Sequence, residues 1–61
     1  MMKIYLIDDD ASVSNILKII IQQKKLGEVC GTASNGMDAL EDLAYVSPDI
    51  VVVDLLMPIM D

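Results

Sequence analysis

Sixty-one residues with a formal charge of −6, no histidine and a single cysteine exclude several chemistries before any motif is read. Ten carboxylates against four lysines repel nucleic acid and anionic membranes, and Cys30 alone supplies neither an intramolecular disulfide nor, without histidine, a zinc site. A hydrophobic share of 54%, almost none of it aromatic, nevertheless belongs to a folded aliphatic domain in a reducing, cytoplasmic setting. A chain this short makes one domain at most and buries only about 60% of what it exposes unfolded. The stretch before Asp8 is too brief for a signal-peptide core, and no apolar run approaches the roughly 18 residues that cross a bilayer.

In chain order, Ile4 to Ile7 is a short continuous apolar run closed by Asp8, the pattern of a parallel strand covered on both faces. From Ala11, apolar residues recur at Val13, Ile16, Leu17, Ile20 and Ile21, a helix with Asp10 or Ser12 available as cap and Lys24, Lys25 and Gly27 as its stop. Glu28 to Ala33 is a weaker strand because Gly31 offers nothing to pack. Ser34-Asn35-Gly36 turns into a second helix with Met37, Leu40, Leu43 and Ala44 on one stripe, ended by Ser47-Pro48. Ile50 to Val53, all β-branched, is a third strand that expects cover on both faces. The alternation strand, helix, strand, helix, strand is an α/β pattern of parallel strands joined by right-handed crossovers.

Ligands of such sheets bind beyond the carboxyl ends of the strands. Asp8, Asp9 and Asp10 follow the first strand here, and Asp54 ends the third. If those strands are neighbours, about 4.8 Å apart, the carboxylates share one acidic pocket, and a hard divalent cation such as magnesium relieves their repulsion. A carboxylate beside bound magnesium can act as a nucleophile toward phosphorus and form an aspartyl-phosphate. Taken singly, Asp8 to Asp10 read as helix caps and solvated loop residues. Asp54 fits that plain reading less well, since Val53 and Leu55 flank it with apolar side chains. Cys30 reads as a small buried hydrophobe, and Lys18, Lys24 and Lys25 as a solvated face and a helix terminus.

Three stretches, Ile4-Tyr5-Leu6-Ile7-Asp8-Asp9-Asp10, Ala33-Ser34-Asn35-Gly36-Met37-Asp38-Ala39-Leu40 and the run from Pro48 through Asp54 to Pro58 and Asp61, together make the chain resemble the amino-terminal half of a receiver domain of two-component response regulators. The resemblance implies a flavodoxin-like receiver fold, truncated to βαβαβ with parallel strand order 2-1-3, and phosphoryl transfer to Asp54 from a sensor histidine kinase or phosphotransfer protein. It implies a Mg2+ site in which Asp9 binds directly, Asp8 through water, Asp54 as both ligand and phosphoacceptor, and Leu56 through its backbone carbonyl. Asp10 lies outside that pair and is left as a cap.

A complete receiver has a fourth and a fifth strand, carrying a hydroxyl residue and a lysine that contact the phosphoryl oxygens. Residues 1–61 supply neither, so the expectation is a partial receiver domain with impaired transfer. A different class of function follows from the same comparison: in order 2-1-3 the strand Ile50 to Val53 is an edge, and a non-catalytic half-domain would form a homodimer through it. Another magnesium-dependent aspartyl-phosphate enzyme is a weaker reading, since such enzymes place a second acid where this chain has Leu56.

Overall fold

In the computed structural model, residues 1–53 are described. They form β1 (Lys3–Ile7), α1 (Ala11–Gln23), β2 (Glu28–Ala33), α2 (Gly36–Leu43) and β3 (Ile50–Val53). The strands make one parallel sheet in the order β2-β1-β3, the α/β arrangement that the alternation and the resemblance lead one to expect. The continuous apolar run places β1 in the middle: Ile4, Tyr5, Leu6 and Ile7 are all buried. Ile4 and Leu6 pack with Ile21, Leu17 and Val29 on the α1 face, while Tyr5 and Ile7 pack with Ala39, Leu43 and Ala33 on the α2 face. Asp49 ties β3 to the start of β1, its Oδ2 accepting from the Lys3 N–H at 2.7 Å and its own N–H donating to the Lys3 carbonyl at 2.8 Å.

Gly31 earns its position by what it lacks. The β1–β2 register shifts between Ile4, paired with Val29, and Tyr5, paired with Gly31, so β2 carries one extra residue, Cys30, at a bulge. A Cβ at Gly31 would stand 2.7 Å from Cε2 of the fully buried Tyr5 ring. The strand is irregular because it makes room for that ring. Gly31→Ala is expected to cost about 1–3 kcal/mol through overpacking, read as a lower midpoint in urea.

The end of α1 differs from its sequence signature. Lys25, at φ 53, occupies the left-handed position that glycine usually takes, and no glycine has a positive φ among the described residues. The Leu26 N–H donates to the Ile21 carbonyl and the Lys25 N–H to that of Gln22, the paired bonds of a Schellman motif. Gly27 is needed instead for close approach, since a Cβ there would lie 2.7 Å from the Met2 carbonyl oxygen.

Two further expectations are corrected. Helix α2 ends at Leu43, ahead of Ser47-Pro48, and buries Ala39 while Met37 and Leu40 stand 65% and 70% exposed. Of the expected stripe Leu43 does pack on the sheet, beside the buried Ala39. At the edge of that face the Tyr5 hydroxyl donates to Asp42 Oδ2 at 2.7 Å. Strand β3 lacks the cover expected on both faces, and all four of its residues are exposed among the described part of the chain. It is an edge of this sheet, as the order 2-1-3 requires.

Candidate functional site

The carboxyl end of β1 delivers three successive aspartates into different environments. Asp8 is only 5% exposed, and its N–H donates to the Ala33 carbonyl at 3.0 Å, which extends the sheet one residue past the strand. Asp9 and Asp10 are exposed. Asp8 Oδ1 accepts from the Asp10 N–H at 2.8 Å, and Asp10 Oδ1 in turn accepts from the Ser12 N–H at 2.9 Å. Asp10 is thus the N-cap of α1, with extended dihedrals, and the alternative cap Ser12 is the donor it satisfies. The spacing of two residues in Asp8-x-Asp10 and Asp10-x-Ser12 is that of consecutive Asx turns, the signal from which this brace could have been read.

Asp8 stands between two hollows. One, of about 310 Å³, lies between α1 and β3 and is lined by Leu6, Ile7, Val13, Leu17 and Val52 beside Asp8. The other, of about 200 Å³, opens toward β2, where Asp9, Ser14, Asn15, Lys18 and Thr32 line it with Asp8. Asp8 thus borders a hollow on each side of the strand end.

β1 and β3 are neighbours, and Ile7 and Val53 are Cα partners at the last position of their ladder. Asp54 is one peptide bond beyond Val53; with Leu56 and Pro58 it lies outside the described residues. Among the described residues no group of three or more histidine, cysteine or acidic side chains converges on a point that would hold a metal ion. Asp8 and Asp9 alone offer only carboxylate oxygens, one of them buried, which is the donor chemistry of magnesium rather than of a softer ion. Cys30 packs on the α2 face of β1 but is half-buried rather than buried, and its Sγ–H donates to the Ile4 carbonyl at 3.4 Å.

On that same face, sequence reasoning passed over Tyr5. Burial, and then the hydrogen bond to Asp42 and the negative charge of that carboxylate, push its phenol up to about 12. The raised value means that the folded chain keeps this proton while the unfolded chain, at 10.0, has lost it. The stabilisation is complete below about pH 10 and is lost as pH rises toward about 12. Thermal midpoints measured across that window should fall for the parent chain and fall less for Tyr5→Phe.

Among the described residues no helix is long and apolar enough to cross a membrane. Residues 4–61 match the response regulator receiver domain family. The chain is 37% identical over 59 residues, 97% of its length, to protein-glutamate methylesterase/protein-glutamine glutaminase 5 of Myxococcus xanthus. It is 33% identical over all 61 residues to the protein-glutamate methylesterase/protein-glutamine glutaminase of Bacillus subtilis, and 41% identical over 59 residues to that of Pseudoalteromonas atlantica. It spans 17%, 17% and 16% of those three proteins respectively. With the parallel β2-β1-β3 sheet and the aspartates at the end of β1, the match over nearly the whole chain is decisive: the chain belongs to the response regulator receiver domain family.

Proposed function

We propose that this chain is a phosphoacceptor segment that takes a phosphoryl group on Asp54 from the phosphohistidine of a sensor histidine kinase or phosphotransfer protein in the cytoplasm. The observation that carries the reading is the pairing of Ile7 with Val53, which sets the strand end leading to Asp54 beside the one that delivers Asp8 and Asp9. Asp9 would hold magnesium directly and Asp8 through water, with Asp54 and the Leu56 carbonyl completing the protein ligands. Bound there, magnesium neutralises charge on the carboxylates and on the phosphoryl oxygens. An Asp54 carboxylate oxygen attacks phosphorus; the O–P bond forms as the P–N bond breaks, and the leaving imidazole keeps the bonding electrons and takes up a proton. The products are an acyl phosphate and a free histidine. Incubation with a phosphohistidine donor and magnesium should add the mass of one phosphoryl group, and Asp54→Ala should abolish the gain. A gain that survives that substitution contradicts the assignment.

One observation favours a second reading, self-association. Ile50, Val51, Val52 and Val53 are uncharged and β-branched, yet they are 46%, 39%, 40% and 48% exposed. A two-fold partner pairing along this edge would cover them and add stability by mass action. Sedimentation at micromolar concentration decides: a dimer supports this reading, and a folded monomer excludes it.

A further inference from the structure

We infer that Asn35 is a site of spontaneous deamidation, held in check while α2 is capped. The inference is independent of the phosphoacceptor reading and starts from the dipeptide Asn35-Gly36. In such a pair the backbone nitrogen of the glycine attacks the side-chain amide carbon of the asparagine, because no Cβ stands in its way. The Gly36 nitrogen loses its proton and forms a bond to Cγ of Asn35, the Cγ–Nδ2 bond breaks, and ammonia leaves with that proton. Water then opens the five-membered succinimide at either of its carbonyls. The product is aspartate, or isoaspartate with one extra carbon in the backbone.

Both ends of the reacting amide are occupied in the folded chain. Asn35 is the N-cap of α2, its Oδ1 accepting from the Asp38 N–H at 2.9 Å and its Nδ2 donating to Asp38 Oδ2 at 3.2 Å. Its ψ of 170° is extended, whereas ring closure needs the Gly36 nitrogen eclipsed with Cβ about the Cα–C bond. The Asp38 carboxylate, bonded to that amide, also opposes loss of the Gly36 proton, since like charges disfavour each other. The restraint is local. Met37 and Asp38 are exposed and the packing of α2 on the sheet starts at Ala39, so the cap holds the first turn. Nor does the backbone require glycine at position 36, because no glycine has a positive φ among the described residues.

Deamidation is followed in the full 61-residue chain at neutral pH by mass spectrometry of the peptide that holds Asn35, with circular dichroism as the check of folding. The parent, Asp38→Ala and Gly36→Ala are compared in buffer and in guanidinium chloride. The parent is expected to react about fivefold faster or more in denaturant, the factor that a typical N-cap amounts to. Folded Asp38→Ala in buffer is expected to react about two- to tenfold faster than the parent, the factor of one net hydrogen bond. Gly36→Ala stays slow in both solvents, since its Cβ hinders the attack in either state. A parent that reacts as fast folded as denatured, or a folded Asp38→Ala no faster than the parent, overturns the protection by the cap. A Gly36→Ala chain that reacts as fast as the parent in denaturant overturns the site itself. Should Asp38→Ala fail to fold, the comparison of the parent in the two solvents decides.

Discussion

Leu6→Ala unfolds the chain at room temperature. Leu6 is 1% exposed at the centre of β1, packed against Ile4, Ile21, Leu17 and Val29, where the sheet meets α1. Truncating a leucine in such a site removes its transfer free energy and leaves a cavity, together about 2–5 kcal/mol. A single core in a chain of this size rarely supplies more than about 3–5 kcal/mol in total, so one substitution is enough. Circular dichroism should show the helical signal lost in Leu6→Ala and retained in Leu40→Ala, since Leu40 is 70% exposed and exposed positions usually cost within about 0.5 kcal/mol. A cooperative transition retained in Leu6→Ala, at a loss under about 1 kcal/mol, would place the core elsewhere.

Asp9→Asn removes magnesium-dependent stabilisation and leaves the metal-free fold unchanged. Asp9 is exposed and its side chain takes part in none of the hydrogen bonds that build the β1–α1 turn, which run through Asp8 and Asp10. Among the described residues its carboxylate accepts no hydrogen bond, and exchanging it for an amide costs the fold within about 0.5 kcal/mol. A cation that binds only the folded chain at one hundred times its dissociation constant adds about 2.7 kcal/mol of stability. The parent should melt at a higher temperature in excess magnesium, whereas Asp9→Asn should melt at the same temperature with and without it. Equal magnesium shifts in both proteins would show that the cation sits elsewhere.

Much of the fold is legible in the sequence because the strong signals are local. Ile4 to Ile7 reads as a covered strand because each of its side chains is apolar, and it is the strand that both neighbours flank. The bounds of α1 follow from its periodicity and the Asp10 cap. What escaped depends on contacts between distant residues. The hydrogen bond between Tyr5 and Asp42, 37 positions apart, is recorded in no stripe of apolar residues. Gly31 reads as a weakness in β2 from the sequence alone, whereas the Tyr5 ring beside it needs the space. Lys25 takes a conformation whose sequence signal points two residues on, to Gly27.

The candidate site divides in the same way. Aspartates after an apolar run announce chemistry at a strand end, and the β1–β3 pairing makes neighbours of the two ends that carry them. Their separate environments, Asp8 buried and braced, Asp9 open, Asp10 capping, come from how the turn into α1 folds. The i to i+2 spacing marks Asp8 and Asp10 as turn acceptors, but which of the three is buried depends on how β1 and α1 pack.

The most direct test of the phosphoacceptor assignment is to locate the phosphoryl group. The chain is incubated with acetyl phosphate, with magnesium or with a chelator, and then fragmented for mass spectrometry. The predicted result is one phosphoryl group, dependent on magnesium, on the peptide that contains Asp54. A phosphoryl group on any other residue, or one that forms equally well without magnesium, would contradict it.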